Sequence, residues 1–493
     1  MSESHPPTLI EALLPLITLA GLLVACAVFF ELNGQLLLMV ILAAATVAGV
    51  VAVRHGATWD DIQRVTGEKI GSVLPVILIF LAIGMLIASW VVSGTIPFIV
   101  YWGMRLVRPD LLVLTAFLAT GAMSLCTGTA WGAVGTIGVA LIGMAGALHA
   151  SLPLVAGAVV SGVYLGEKMS PLSGSANICA IGADVPLYRS LRHLLYTAIP
   201  SFIACLIVYS LATRFAPAIG EGLPDSARVL LRDLEGAFNL NWTAVIPLLV
   251  VLWGIIRKYP PSLAIVLSAA VALVIAVSFQ GIRPIDALTS AVAGARVEML
   301  HLPPGSAPPG TGFVSLVNRG GLNSMAPTLV IVIAAFLLTA AMEVSGALTV
   351  LIGRMLATVT SVFRLIAATM AAGATMIALT SHGGVTALVI GGFFQPAYRE
   401  RGLSPENLSR TLEDSVTITE PLMPWTVSAI FMATTLGVPT VQYAPWAVFC
   451  YAGPVFSLLI AALYRYTGFG IKRLSNESTV PSLNQLDEVI VSQ

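Results

Sequence analysis

Long apolar runs separated by short polar stretches dominate the chain. Runs of about 20 apolar residues, the length that crosses the hydrocarbon core of a bilayer, include 10–30, 34–53 and 445–463. No Lys or Arg precedes the first run, so we expect a retained transmembrane helix there and not a cleavable signal peptide. The pattern predicts an all-α polytopic membrane protein.

Polar residues, glycine and proline interrupt the apolar pattern twice between residues 110 and 213. The interruptions cover 124–132 and 166–177. An unsatisfied backbone group in lipid costs several kcal/mol, so non-helical backbone at membrane depth must be buried in protein or line a cavity. We predict a re-entrant hairpin followed by a broken transmembrane helix, whose helix ends and free carbonyls suit an ion or solute site.

The same interrupted pattern returns between residues 361 and 466. Polar stretches cover 380–384 and 412–425, and local echoes of the first region appear in chain order. Matched tripeptides beginning at Gly121 and Gly373, and at Ser170 and Glu420, give offsets of 252 and 250 residues, and Pro200 and Pro454 give 254. Corresponding interruptions in two halves of a chain are a pointer to a transporter's binding site. This alignment makes Ser170 and Glu420 the equivalent positions.

The interruptions and the polar connections between them divide the chain into five predicted parts. Residues 214–240 carry charges of both signs and predict an aqueous loop, and 281–324 is rich in proline and glycine. Basic residues between the second and third runs place that loop, and the N-terminus, in the cytoplasm. The parts are scaffold helices 1–109, a first transport core 110–213, loop and scaffold helices 214–360, a second transport core 361–466, and a polar tail 467–493.

Composition indicates a polytopic membrane protein and gives no sign of nucleic-acid binding. The chain of 493 residues is 57% hydrophobic and 10% charged, with a mean hydropathy of +0.93. Lys plus Arg and Asp plus Glu both number 24, so no basic excess points to nucleic acid. Sequence motifs of intramembrane or soluble hydrolases are absent, so an enzyme is disfavoured.

Five blocks in these regions resemble the signature sequences of the NhaC-type Na⁺/H⁺ antiporters. The blocks are Gly-Thr-Ala-Trp-Gly at 128–132, Gly-Glu-Lys-Met-Ser-Pro-Leu-Ser at 166–173, Leu-Ser-Arg-Thr-Leu-Glu-Asp at 408–414, Pro-Leu-Met-Pro-Trp at 421–425 and Leu-Gly-Val-Pro-Thr at 436–440. The resemblance implies the ion transporter superfamily fold, with inverted repeats that each hold a hairpin and a broken helix. It also implies a transport domain carried against a scaffold that commonly forms a homodimer. The family includes cation/proton exchangers, organic-anion exchangers and amino acid carriers.

The chain departs from the family pattern at several charged positions. Glu167 stands where members usually have Asp, and Gly174 stands where another Asp is usual. The usual Ser of the second repeat is Glu420, and the usual Asn after the second tryptophan is Thr426. One acid is therefore lost at 174 and one is gained at 420. We expect Glu420 to supply the missing charge from the opposite side of a shared cavity.

The charges of the interruptions predict proton and cation binding without the resemblance. Four acids, Glu167, Glu413, Asp414 and Glu420, oppose Lys168, which leaves three net negative charges. Each charge at the bilayer centre costs roughly 2.5 to 3.5 kcal/mol, so protons, cations or partners should neutralise some of them. A site that holds either a proton or Na⁺ is the minimal basis of antiport. The candidate ion- or substrate-binding residues are Thr127, Thr129, Glu167, Lys168, Ser170, Ser173, Ser175, Asn177, Ser381, His382, Glu413, Asp414, Thr417, Thr419, Glu420 and Thr426, with Glu167, Ser170, Thr417 and Glu420 as Na⁺ ligands.

Several of these residues have a structural alternative. Lys168 could be structural glue, Glu413 and Asp414 could simply begin a helix, and His382 could be a packing histidine instead of a proton relay. Glu343, inside an apolar run, is either a functional acid or one that stabilises a bend. Trp131 and Trp425 are expected to pack or to anchor the tips.

The sequence therefore predicts a secondary active transporter of the bacterial inner (cytoplasmic) membrane. The first hypothesis is a Na⁺/H⁺ antiporter that works by alternating access, and the alternative is a Na⁺- or H⁺-coupled carrier of an amino acid or carboxylate. No cofactor is expected beyond Na⁺ and H⁺ as transported or coupling ions. The expected partners are the lipid bilayer, the transported solute and a second copy of the chain.

Overall fold

The chain folds into helices joined by short connections. The structure, a computed structural model, describes residues 6–30, 33–106, 108–215, 225–257, 259–302, 308–357, 359–381 and 383–474. These residues form no β-strand and only an isolated bridge between Leu403 and Arg473. Nine helices in the described part are long and apolar enough to cross a membrane. The predicted all-α polytopic fold is confirmed.

The first helices run from the N-terminus to the start of the first interrupted region. Residues 74–106 form two helices that break at Gly94, where φ is +81°. The Ser93 and Thr95 hydroxyls are 2.9 Å apart at this break, so the polar pair is satisfied locally. The helices are α1 Leu9–Phe29, α2 Gly34–Arg54, α3 Trp59–Ser72, α4 Leu74–Val92 and α5 Thr95–Leu106.

The first interrupted region forms a hairpin and then a broken helix. Its helices are α6 Leu112–Thr127, α7 Ala130–Ala133, α8 Val139–Ala147, α9 Leu152–Met169, α10 Gly174–Gly182 and α11 Leu187–Phe215, with a π-helical turn Val134–Gly138 between α7 and α8. Gly128 ends α6 with a φ of +72°, and a Cβ there would lie 2.7 Å from the carbonyl carbon of Leu172. The hairpin tip therefore touches the break between α9 and α10.

The middle of the chain contains more helix than its composition predicts. The helices are α12 Asp225–Ala237, α13 Ile246–Ile256, α14 Pro261–Phe279, α15 Pro284–Ala293, α16 Thr311–Val317, α17 Ala326–Val344 and α18 Ala347–Ala357. The predicted aqueous loop 214–240 is wrong over α12, because its charges occupy one face while Leu230 and Leu234 are buried on the other. The chain bends by 102° between α12 and the helical segment that follows.

The second interrupted region repeats the architecture of the first. Its helices are α19 Val362–Thr380, α20 Gly383–Glu400, α21 Pro405–Leu412, α22 Val427–Leu436, α23 Thr440–Tyr443 and α24 Val448–Thr467. A π-helical turn, Glu413–Thr417, and a 3₁₀ turn, Glu420–Leu422, lie between α21 and α22. The remaining 3₁₀ turns are Pro109–Leu111, Trp242–Val245, Val297–Met299, Leu322–Met325 and Ala444–Trp446.

Equivalent helix ends in the two regions are separated by 253 residues. The residues that end α6 and α19, Gly128 and Ser381, are both left-handed, with φ of 72° and 57°. The residues that cap α10 and α22, Ser173 and Thr426, each accept the backbone N–H three residues on. The predicted repeats with hairpins and broken helices are confirmed. The grouping of helices into scaffold and transport cores stays a prediction.

Glycines bring α6 and α9 into close contact. A Cβ on Gly166 would lie 2.3 Å from the carbonyl oxygen of Gly121, and one on Gly162 would lie 2.3 Å from that of Phe117. Small residues allow helix backbones in a membrane to approach in this way. The contact holds the last turn of α9 against the hairpin, and Glu167 lies in that turn.

Candidate functional site

Glu167 joins the hairpin tip to the broken helix of the first repeat. Its Oε2 accepts the backbone N–H of Ala130 at 3.0 Å, and its Oε1 accepts the hydroxyl of Ser175 at 3.0 Å. The first N–H groups of a helix have no intrahelical partner, so the start of α7 offers a donor to a carboxylate. We call this arrangement of Glu167, Ala130 and Ser175 the first carboxylate clasp.

Glu420 is held by the equivalent residues in the second repeat. It accepts the backbone N–H groups of Ser428, at 3.3 Å, and of Gly383. A Cβ on Gly383 would lie 2.8 Å from Glu420 Oε2, so this position suits glycine. Each of the three residues follows its counterpart by 253 residues (420 − 167, 383 − 130 and 428 − 175). We call this set the second carboxylate clasp.

The equivalence of the clasps corrects the alignment made from the sequence. The predicted partner of Glu420 was Ser170, but the helix ends and hydrogen bonds pair Glu420 with Glu167. The two carboxylates interact electrostatically, and Tyr164 lies close enough to interact with both. Glu167 is partly buried and Glu420 is 7% exposed. The two interruptions thus bring one acid from each repeat to a common region.

Lys168 lies beside this region and pairs with an acid of the other repeat. Its ammonium contacts Asp414 Oδ1, and neither side chain is exposed. The hydroxyl of Thr197 lies 3.1 Å from the ammonium and 3.2 Å from the same carboxylate oxygen. Successive helical residues point about 100° apart, which sends Lys168 away from the Glu167 clasp. The pair therefore links α9 of the first repeat to the π-helical turn of the second.

Arg410 is a buried charge that the sequence analysis missed. It follows the charged residues Arg399, Glu400 and Arg401 in the sequence, but in α21 its side chain is 0% exposed. Its position one turn before Asp414 was the available signal. Glu413 and Asp414 are also buried, and they follow α21 instead of beginning a helix.

The added base changes the charge balance of the core. Lys168 and Arg410 balance Glu413 and Asp414 within one cluster, which we call the charge quartet. The predicted surplus of three negative charges becomes two. Among the residues that the structure describes, Glu167 and Glu420, the acids of the two clasps, form no ion pair with a base.

Three predicted hydroxyl ligands of the second repeat donate to backbone carbonyls. Thr417, Thr419 and Thr426 donate to the carbonyls of Glu413, Ser415 and Glu420 at 2.9, 2.7 and 2.6 Å. Such bonds stabilise helix ends and turns, although a hydroxyl oxygen keeps lone pairs for a further contact.

The remaining predicted hydroxyls and amide have other surroundings. Thr127 lies 3.5 Å from the carbonyl of Ser124, and Thr129 accepts the N–H of Gly132 at 3.4 Å. Ser170 accepts the N–H of Leu172 at 3.2 Å, at the break between α9 and α10. Asn177 is exposed.

The predicted residues of the second hairpin tip are only partly described. Ser381 is buried, and its carbonyl accepts the N–H of Val427 at 3.1 Å. His382 lies outside the described residues. Trp425 donates from its indole to the carbonyl of Ala378 at 2.6 Å, which ties the segment before α22 to α19.

Two further residues singled out by the sequence have structural partners. Glu343 is half exposed and pairs with Lys69 of α3 at 2.5 Å, at the end of α17. Trp131 stacks with Phe80 of α4 and Phe431 of α22, with ring centroids 5.6 and 5.2 Å away.

Comparison with known proteins gives a consistent set of similarities. A model of the Na⁺/H⁺ antiporter family matches residues 162–469. A protein of Haemophilus influenzae described as an uncharacterized Na⁺/H⁺ antiporter is 39% identical, over 96% of this chain and 98% of its own. The Na⁺/H⁺ antiporter NhaC of Bacillus subtilis is 32% identical over 83% of this chain and 88% of its own.

Two other similarities extend over most of the chain. The malate-2H⁺/Na⁺-lactate antiporter of Bacillus subtilis is 30% identical over 95% of this chain and 96% of its own. A solved structure of MtrF from Neisseria gonorrhoeae covers 92% of this chain and 94% of its own, at 14% identity and a TM-score of 0.38.

Proposed function

Because this chain belongs to the Na⁺/H⁺ antiporter family, we propose that it exchanges Na⁺ or a similar monovalent cation for protons by alternating access. It is a secondary active transporter and not an enzyme, and it is a multi-pass membrane protein. The bacterial inner membrane, a cytoplasmic N-terminus and a homodimer belong to the proposal. So does the absence of a cofactor beyond Na⁺ and H⁺.

The duplicated carboxylate clasp is the observation that carries the proposal. Glu167 and Glu420 pair with no base in the described part of the chain, and each is held by a backbone N–H at a hairpin tip. Such donors stabilise the ionised carboxylate, whereas burial favours the protonated one. A carboxyl group balanced in this way can release a proton when a cation approaches and take it back when the cation leaves.

Charge also explains why only a loaded transporter would move. An empty core carries two uncompensated carboxylates, and each charge near the bilayer centre costs roughly 2.5 to 3.5 kcal/mol. Binding of protons or of a cation removes part of that charge. The loaded forms therefore cross between the two access states more readily than the empty form, which couples the two ion movements.

A Na⁺- or H⁺-coupled carrier of a small organic solute is the second candidate. A cavity of about 710 Å³ lies between α2 and α22, with Asn33, Thr434 and Gln442 among its polar lining. That volume is in the range of small-molecule sites. The similarity to a malate-2H⁺/Na⁺-lactate antiporter over almost the whole chain points in the same direction.

Transport by the purified protein in proteoliposomes tests the proposal. An imposed pH gradient should drive uptake of radiolabelled Na⁺ without any organic solute, and Glu167→Gln or Glu420→Gln should each abolish it. Glu343→Gln is the matched control, because it removes a carboxylate at the end of a span and should leave exchange intact. A strict requirement for malate or lactate would favour the second candidate. Normal exchange in both clasp variants would refute the assigned site.

A further inference from the structure

Unpartnered polar atoms concentrate in the charge quartet. Within the described part of the chain, Glu413 Oε2, Asp414 Oδ2, and Nε and Nη2 of Arg410 are buried and lack a hydrogen-bond partner. Buried polar groups almost always have partners, and charged ones need them most. Four such atoms in one cluster indicate that its side chains have a second arrangement of ion pairs.

The unpartnered atoms match each other in chemistry and position. Arg410 lies one helical turn before Asp414, the spacing at which an arginine and an aspartate can meet, and the two interact electrostatically. Nε and Nη2 form one edge of the guanidinium, which fits a carboxylate with two parallel hydrogen bonds. Nη1 is already used, because it donates to the carbonyl of Gly470.

Glu413 is the matching alternative for Lys168. The two side chains interact electrostatically. Oε2 of Glu413 is left free to accept from the ammonium. Lys168 therefore faces two acids and at present contacts Asp414.

We propose that the quartet alternates between two pairings as the transporter changes its access state. In the arrangement seen here Lys168 holds Asp414. In the other arrangement Asp414 binds the free edge of Arg410 within its own helix, and Lys168 moves to Glu413. The proposal rests on the proposed antiport and assigns Arg410 and Glu413 as positioning residues for the two broken helices.

The exchange of partners keeps the charge of the core constant. Two bases and two acids take part in both arrangements, so the net charge of the quartet stays at zero when the pairs change. The link between α9 and the second repeat moves from Asp414 to Glu413, which are neighbours in the π-helical turn. Single π turns inside helices occur frequently at functional sites, and a change of pairing there can shift one repeat against the other.

A glycine of α24 leaves room for this movement. A Cβ on Gly453 would lie 3.1 Å from Asp414 Oδ1 and 2.3 Å from Cδ1 of Ile418. A methyl group at this position would crowd the carboxylate without changing any charge. Gly453→Ala is therefore a second probe of the switch, independent of the charged residues.

The test compares turnover with cation affinity in proteoliposomes. Glu413→Gln and Arg410→Gln should lower the maximal rate of Na⁺/H⁺ exchange roughly tenfold or more and change the KM for Na⁺ by less than about twofold, because both clasps are untouched. Arg410→Lys should be faster than Arg410→Gln but slower than the wild type, since lysine keeps the positive charge but cannot form two parallel hydrogen bonds with a carboxylate. Gly453→Ala should also lower the rate without a change in KM. Size-exclusion chromatography reports whether each variant is folded.

Each outcome bears on the switch. A maximal rate near wild type in folded Glu413→Gln and Gly453→Ala would overturn it, and so would equal losses in rate and in Na⁺ affinity. If Arg410→Gln does not fold, the other two variants decide. Absence of exchange by the wild type would remove the proposed function and the switch together, whereas normal wild-type exchange with unaffected variants removes the switch alone.

Discussion

The ion pair between Lys168 and Asp414 makes the stability of the core depend on one carboxylate. Asp414→Asn keeps the shape of the side chain but leaves the Lys168 ammonium buried without its contact. Removal of one partner of a buried ion pair costs about 3 to 5 kcal/mol. Free energies of unfolding are commonly about 5 to 15 kcal/mol, so this one substitution removes a large fraction of the total.

The converse substitution should cost less. In Lys168→Met, Asp414 keeps a base nearby, because Arg410 lies one turn away with two unpartnered donors. In Asp414→Asn, two bases remain with Glu413 as the only acid of the quartet. The double variant Lys168→Met/Asp414→Leu should regain much of the loss of Asp414→Asn, since an apolar pair of similar volume replaces a buried ion pair at little cost.

Reversible unfolding in mixed micelles, followed by circular dichroism at increasing denaturing detergent, measures these differences. Glu343→Gln is the control, because its half-exposed pair with Lys69 should contribute about 1 kcal/mol or less. If Asp414→Asn is within about 1 kcal/mol of the wild type, or if the double variant is no more stable than Asp414→Asn, the assignment of a dominant buried pair fails.

Three further predictions concern packing, caps and ion competition. Gly166→Ala should destabilise the protein by about 1 to 3 kcal/mol, because the new methyl group would meet the backbone of Gly121 at 2.3 Å; wild-type stability in the same unfolding assay would contradict this contact. Ser173→Ala and Thr426→Ala should each cost about 1 kcal/mol, since each removes the cap of an equivalent half-helix; a clear difference between them would argue against the equivalence. A lower pH on the side from which Na⁺ enters should raise the KM for Na⁺, because protons and Na⁺ compete for the clasp carboxylates. Initial-rate measurements in which pH changes the maximal rate but not the KM would contradict this competition.

The sequence alone determined the fold class, the family and the location of both interrupted regions. The polar stretches 166–177 and 412–425 interrupt long apolar runs. They can be located from the sequence because non-helical backbone at membrane depth must be buried in protein or line a cavity. The family inferred from the five blocks is confirmed by the family match and the relatives. The amino-acid sequence thus suffices to predict a membrane transporter built from two repeats.

Only the tertiary structure decided which acids are equivalent and which charges are balanced. Local sequence matches between the two repeats gave offsets between 250 and 254 residues. The helix ends in the structure are 253 residues apart, and this offset pairs Glu420 with Glu167 and not with Ser170. Arg410 follows a charged loop in the sequence, but its burial in α21 makes it part of the quartet. The hydrophobic pattern shows which segments lie within the membrane, because this depends on the composition of each segment alone. Hydrogen-bond partners and charge balance depend on segments about 250 residues apart, and only the packed chain brings those together.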